Sequence, residues 1–123
     1  MKKEVLNFLS ALEGYHSTLK MLHWSTERHS EHILTDDIDS SILKYEDKIS
    51  EVAMGALDTR FGIGDLKCML PQSKDLKSVL KELKTDVNDF RDVAEEKKMN
   101  GLVNILDDFT EDINTWEYLR TLK

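Results

Sequence analysis

Apolar residues in this chain recur in alternating steps of three and four, over four separate stretches. Val5, Phe8, Leu12, Tyr15, Leu19 and Leu22 form the first, and Leu34, Ile38, Ile42, Tyr45, Ile49, Val52 and Ala56 the second. Leu76, Val79, Leu80, Leu83, Val87, Phe90 and Ala94 form the third. Leu102, Ile105, Leu106, Phe109, Ile113 and Trp116 form the fourth. A step of three or four returns to one face of a helix with 3.6 residues per turn, and no strand can use it. With one Pro and five Gly in 123 residues, little interrupts these runs. The pattern predicts an all-α chain forming one domain over residues 1–123.

Punctuation sets the expected boundaries. The first helix should span residues 3–25, with Ser25, Thr26 and Ser30 marking a short connection. The second should run from Ser30 to Leu57 or Asp58. Residues 59–73, broken by Gly62, Gly64 and Pro71, are the one long interruption. At about 3.3 Å per extended residue such a segment can return along a whole bundle, with or without a short helix at 66–70. That length allows the second and third helices to run parallel but does not require it. Ser73 is the expected N-cap of the third helix, Asn100-Gly101 its end, and the fourth helix follows to near Leu122.

The most informative polar pattern lies on the second helix. His32, Asp36, Asp47 and Glu51 are separated by four, eleven and four residues. With Asp36 as zero, His32, Asp47 and Glu51 fall near about −40°, +20° and +60° on the helical wheel. One imidazole and three carboxylates thus share a narrow stripe, turned away from the apolar face. His23 on the first helix is a fifth candidate ligand, and His29, near about +20°, is able to replace or supplement His32. Asp36 and Asp47 lie about 16 Å apart along the axis, too far to share one ion. A two-fold axis crossing near Ile42 and Leu43, where Ser40 and Ser41 are small, would bring Asp36 of one copy toward Asp47 and Glu51 of another. The competing reading of the same stripe is a solvated acidic face.

Charge and motifs narrow the classes. The net charge of −7 and the lack of clustered Lys and Arg argue against nucleic-acid binding. No segment has the length and apolarity of a membrane span, and MKKEVLNFLSALEG does not read as a signal peptide. The single Cys68 suits a reducing compartment, so a cytoplasmic location is expected. No phosphate loop, Cys-x-x-Cys pair or nucleophilic triad is present. Glu13 and His16 form the one clear Glu-x-x-His, so a di-iron centre needing two such motifs inside a bundle is not supported. The acids Asp86, Asp89 and Asp92, and Asp107, Asp108, Glu111 and Asp112, read mostly as solvated faces.

The stretch from His23 to Glu51 resembles the ferroxidase region of the Dps family, the miniferritins. His23-Trp24 matches a His-Trp near the end of that family's first long helix. His32, Asp36, Asp47 and Glu51 match its second helix in all three spacings. The last helix, with Trp116 near its end, is also similar. The resemblance implies a ferritin-like four-helix bundle with a long crossover between the second and third helices. It implies iron sites, mono-iron or di-iron, shared across a two-fold. His23, His32 and Asp36 would come from one chain, and Asp47 and Glu51 from its partner, with no catalytic residues separate from the metal ligands. It implies Fe(II) oxidation by hydrogen peroxide or oxygen, with iron sequestered in a homo-oligomer, from a dimer up to a twelve-subunit shell. The chain departs from the pattern in three ways: His23 and His32 are three residues closer than usual, the intervening loop lacks Gly-Pro, and no extended basic arm precedes the first helix. Two other expectations stand beside this one: a non-enzymatic helical oligomer or adaptor, and a degenerate miniferritin that holds another divalent metal.

Overall fold

A computed structural model describes residues 1–123. It contains four helices and no strand: α1 (Lys2–Ser25), α2 (His29–Leu57), α3 (Leu76–Glu96) and α4 (Asn100–Arg120). α1 packs on α2 and α3 on α4, while α2 also meets α4 and α1 meets α3. The backbones of α1 and α4, and of α2 and α3, do not approach closely, so these pairs are diagonal and the helices occupy the corners of a square, an arrangement compatible with a four-helix bundle. None of the helices is long and apolar enough to cross a membrane.

The core follows the apolar steps. Every apolar residue expected on α3 and on α4 is buried. Phe8 stacks on Phe90 at 4.5 Å between α1 and α3, and Tyr45 on Phe109 at 4.1 Å between α2 and α4. On α2 the last buried position is Ala53, whereas Ala56 is exposed, because the helix turns its final face toward solvent. Two acids expected on solvated faces instead satisfy inward-facing phenols. Tyr15 donates to Asp86 and Tyr45 to Asp112, each at 2.5 Å. Burial of Tyr15 and Tyr45 would strand their hydroxyls, and a carboxylate on the facing helix removes that cost.

The connections correct two expectations and decide a third point that the sequence leaves open. α3 is capped by Asp75, not Ser73: Oδ1 of Asp75 accepts from the Ser78 N–H at 2.9 Å. Ser73 instead gives its N–H and hydroxyl to Oε1 of Glu82, at 2.9 and 2.7 Å. Gly101 lies inside α4, and α3 is closed by Lys98 in the left-handed region at φ 58°. Residues 66–70 are not helical. They lie along α1, where Met69 N–H donates to Ser10 O and Lys67 N–H to Ser10 Oγ, both at 3.0 Å. Further along, Ser17 Oγ meets Cys68 Sγ at 3.6 Å, and at the other end Lys2 Nζ donates to Arg60 O at 3.2 Å. Residues 58–75 therefore form a strap, seated in a notch where Ser10 and Gly14 are buried.

The α1–α2 seam carries a proton-linked pair. Oε1 of Glu46 is buried and no N–H or O–H reaches it. Burial first, then the hydrogen bond and charge of Glu13, and then Asp47 and Asp39, push the Glu46 carboxyl up to about 8. The folded chain thus keeps a proton that the unfolded chain loses near its ordinary value of 4.5, so stability falls as pH rises between about 4.5 and 8. Glu46→Gln removes this titration. In chelator-treated protein it should add about 1–2 kcal/mol at pH 8, after discounting for solvent screening, and little near pH 5. Thermal melts across that range check the slope, and a wild-type slope unchanged in the variant would contradict the shared proton.

Candidate metal centre

The three-residue joint at 26–28 folds the end of α1 back on the start of α2. This brings His23 and His32 face to face, with ring centroids 3.9 Å apart and planes 14° from parallel. Their hydrogen bonds are reciprocal. His23 Nδ1–H donates to His32 O at 2.7 Å, and His32 Nδ1–H donates to His23 O at 2.8 Å. A carbonyl only accepts, so each Nδ1 carries a proton, and in the neutral ring the lone pair lies on Nε2. Fixing the tautomer through the other ring nitrogen is how proteins orient metal-binding imidazoles. The same bonds also satisfy a carbonyl at the C-terminal end of α1, one of those a helix leaves open. Near-parallel rings hold their lone pairs in separate planes, so in this stacked arrangement one ion cannot take both nitrogens at ordinary bond lengths.

Asp36 follows His32 by one turn and is exposed, as are Asp47 and Glu51 further along α2. Asp47 borders a hollow of about 230 Å³ with Ser50, Phe61 and Asp65. Glu51 borders a wider, open one of about 530 Å³ with Met54, Asp58 and Arg60. None of these three carboxylates takes part in a salt bridge. His29, the first residue of α2, is exposed, with its ring 6.4 Å from that of His32. A single chain therefore brings His23 and His32 together and leaves Asp36, eleven residues before Asp47 on α2, remote from Asp47 and Glu51. No three His, Cys, Asp or Glu side chains gather into a group that could hold a metal ion.

The polar pairs on the α1–α2 seam were not anticipated. His16 Nδ1 lies 2.6 Å from Asp39 Oδ1, and Glu13 faces Glu46. The signal for them was present in two parts: Glu13 and His16 three apart on α1, and Asp39 and Glu46 seven apart on α2. Either spacing alone reads as surface, and only the packing of α1 on α2 joins them.

No curated protein and no solved structure matches the chain. Residues 23–119 match a family of unknown function, DUF5856. The matched span begins at His23 and contains His32, Asp36, Asp47 and Glu51. Since it covers most of the chain, this protein belongs to the DUF5856 family.

Proposed function

We propose that this protein is a Dps-like miniferritin: it binds Fe(II) at sites shared across a two-fold dimer, oxidises it with hydrogen peroxide and sequesters the ferric product. The observation that carries the reading is the His23/His32 pair, whose reciprocal bonds engage both Nδ1 atoms and leave Nε2 of each ring to face a ligand, with Asp36 one turn beyond His32 on α2. Mixed imidazole and carboxylate donors suit iron. Exposed Asp36, Asp47 and Glu51, spread along one helix, make a complete donor set only when an antiparallel copy supplies the missing half. Two Fe(II) ions give up one electron each, and one peroxide takes up both with two protons to give two waters. In this reading the bundle has ferritin-like topology, with α2 and α3 parallel and residues 58–75 as the crossover. The order of strap contacts along α1, from Lys2 through Ser10 to Ser17, supports that path.

A second reading is a non-enzymatic helical oligomer or adaptor, and the exposure of all three carboxylates favours it. Anaerobic Fe(II) titration followed by peroxide, with native mass measured on the same sample, separates the two. The miniferritin reading expects saturable Fe(II) binding to a dimer or larger assembly, and ferric absorbance that rises with peroxide. Binding no tighter than to a His23→Ala/His32→Ala variant, with no peroxide-dependent oxidation above the buffer rate, leaves the adaptor.

A further inference from the structure

The strap and the second half of α1 enclose a groove of about 570 Å³, in the range of roughly 300–1,000 Å³ usual for small-molecule sites. Met21 and Leu22 line it from α1, and Leu70 and Pro71 line it from the strap. Met21 and Leu70 are 58% and 65% exposed, an apolar surface that the fold itself leaves uncovered. The remaining lining is mainly hydroxyls, with one charged residue, Lys74, at the strap's end. None of the ten lining residues is Asp or Glu, although the chain holds 24 acids against 17 Lys and Arg, and the one carboxylate bonded to the lining, Glu82, is already engaged by Gln72 N–H and by the N–H and hydroxyl of Ser73. Lys74 takes part in no salt bridge. An apolar trough with hydroxyls and a single unpaired ammonium, in a chain otherwise rich in carboxylates, is complementary to one kind of small molecule.

We propose that this groove binds a single-chain amphiphile with an anionic head, a fatty carboxylate, with the head at Lys74 and the chain between Met21 and Leu70. The unbranched Met21 side chain adapts its shape to an alkyl chain without a fixed register. The hydroxyls of Ser17 and Thr18 offer donors where the trough is polar. A cationic head would meet Lys74 with like charge, and a neutral head would gain nothing from the exposed ammonium. The site does not depend on the metal reading, since it shares no residue with the His23/His32 pair or the carboxylate stripe.

The test uses the full-length protein, with decanoate, decanol and decyltrimethylammonium as probes, each kept below its micelle concentration. The readout is the Met21 methyl resonance, assigned through Met21→Leu. Decanoate should shift it saturably, decanol should bind more weakly, and the cationic probe should not bind. Lys74→Glu should weaken decanoate by about tenfold or more, the loss expected for a charged hydrogen-bond partner. Lys81→Glu, the same charge change on the exposed side of α3, should leave affinity unchanged. The circular dichroism of both variants should match wild type. No saturable shift, equal binding of the three heads, or equal losses in the two Lys variants would each overturn the proposal. So would a Met21 shift that follows protein concentration instead of probe, which would assign the groove to a second copy of the chain.

Discussion

Gly14→Ala is expected to destabilise the protein by about 1–3 kcal/mol, although the same change elsewhere in a helix stabilises. Gly14 is buried where the strap crosses α1, and a Cβ there would stand 1.7 Å from Met69 O and 2.4 Å from Met69 C. These are backbone atoms, so no rotamer change relieves the overlap. The strap must lift, and lifting it lengthens the bonds from Met69 and Lys67 to Ser10. The control is Gly55→Ala on α2, where an added Cβ meets nothing within 4 Å. There the gain in helix propensity acts alone, at about 0.5–1 kcal/mol. Urea unfolding of the two variants beside wild type should give shifts of opposite sign. Equal stabilities would mean that the strap does not rest on Gly14.

Sharing of the iron site makes a prediction that no single-chain site can imitate. His32→Ala with Asp36→Asn damages one half of each proposed site, and Asp47→Asn with Glu51→Gln damages the other. Each double variant alone should be inactive. Refolded together, they form mixed dimers in which one site carries both lesions and the other carries none. Random pairing then returns about a quarter of wild-type Fe(II) oxidation, if the sites act independently. A site built within one chain would keep one lesion in every copy, and mixing could not restore it. Mixed dimers confirmed by mass but without oxidation would reject the shared site.

The bundle helices were legible because their apolar steps are clean. On α3 and α4, each residue assigned to the core by periodicity alone is buried. The joints were harder to read, because neighbouring residues compete for the same role. Ser73 and Asp75 are both good caps, and Glu82, a long-range partner, decides between them by taking Ser73. Asn100-Gly101 looked like a helix end, yet Lys98 adopts the left-handed turn and frees Gly101 to enter α4. The shared face of His32, Asp36, Asp47 and Glu51 follows from helix geometry alone. The His23/His32 stack does not, since it depends on the closing of the 26–28 joint. The half-buried Tyr15–Asp86 and Tyr45–Asp112 pairs escaped notice because a carboxylate on an amphipathic helix reads as solvated until the facing phenol is known.

The strap also divides the molecule into two units of stability. α1–α2 and α3–α4 each close through a three-residue joint, and from residues 58–75 only Phe61 packs against the helical core. Few polar contacts fasten the strap, chiefly those at Ser10 of α1 and Glu82 of α3, so its middle is expected to open at lower cost than the four helices. Such an opening should expose the amides of Lys67 and Met69 to solvent exchange ahead of the amides of the helical core. The notch at Ser10 and Gly14 is in this sense a latch. Its strength sets how often the groove between α1 and the strap opens, independently of how firmly the bundle itself is held.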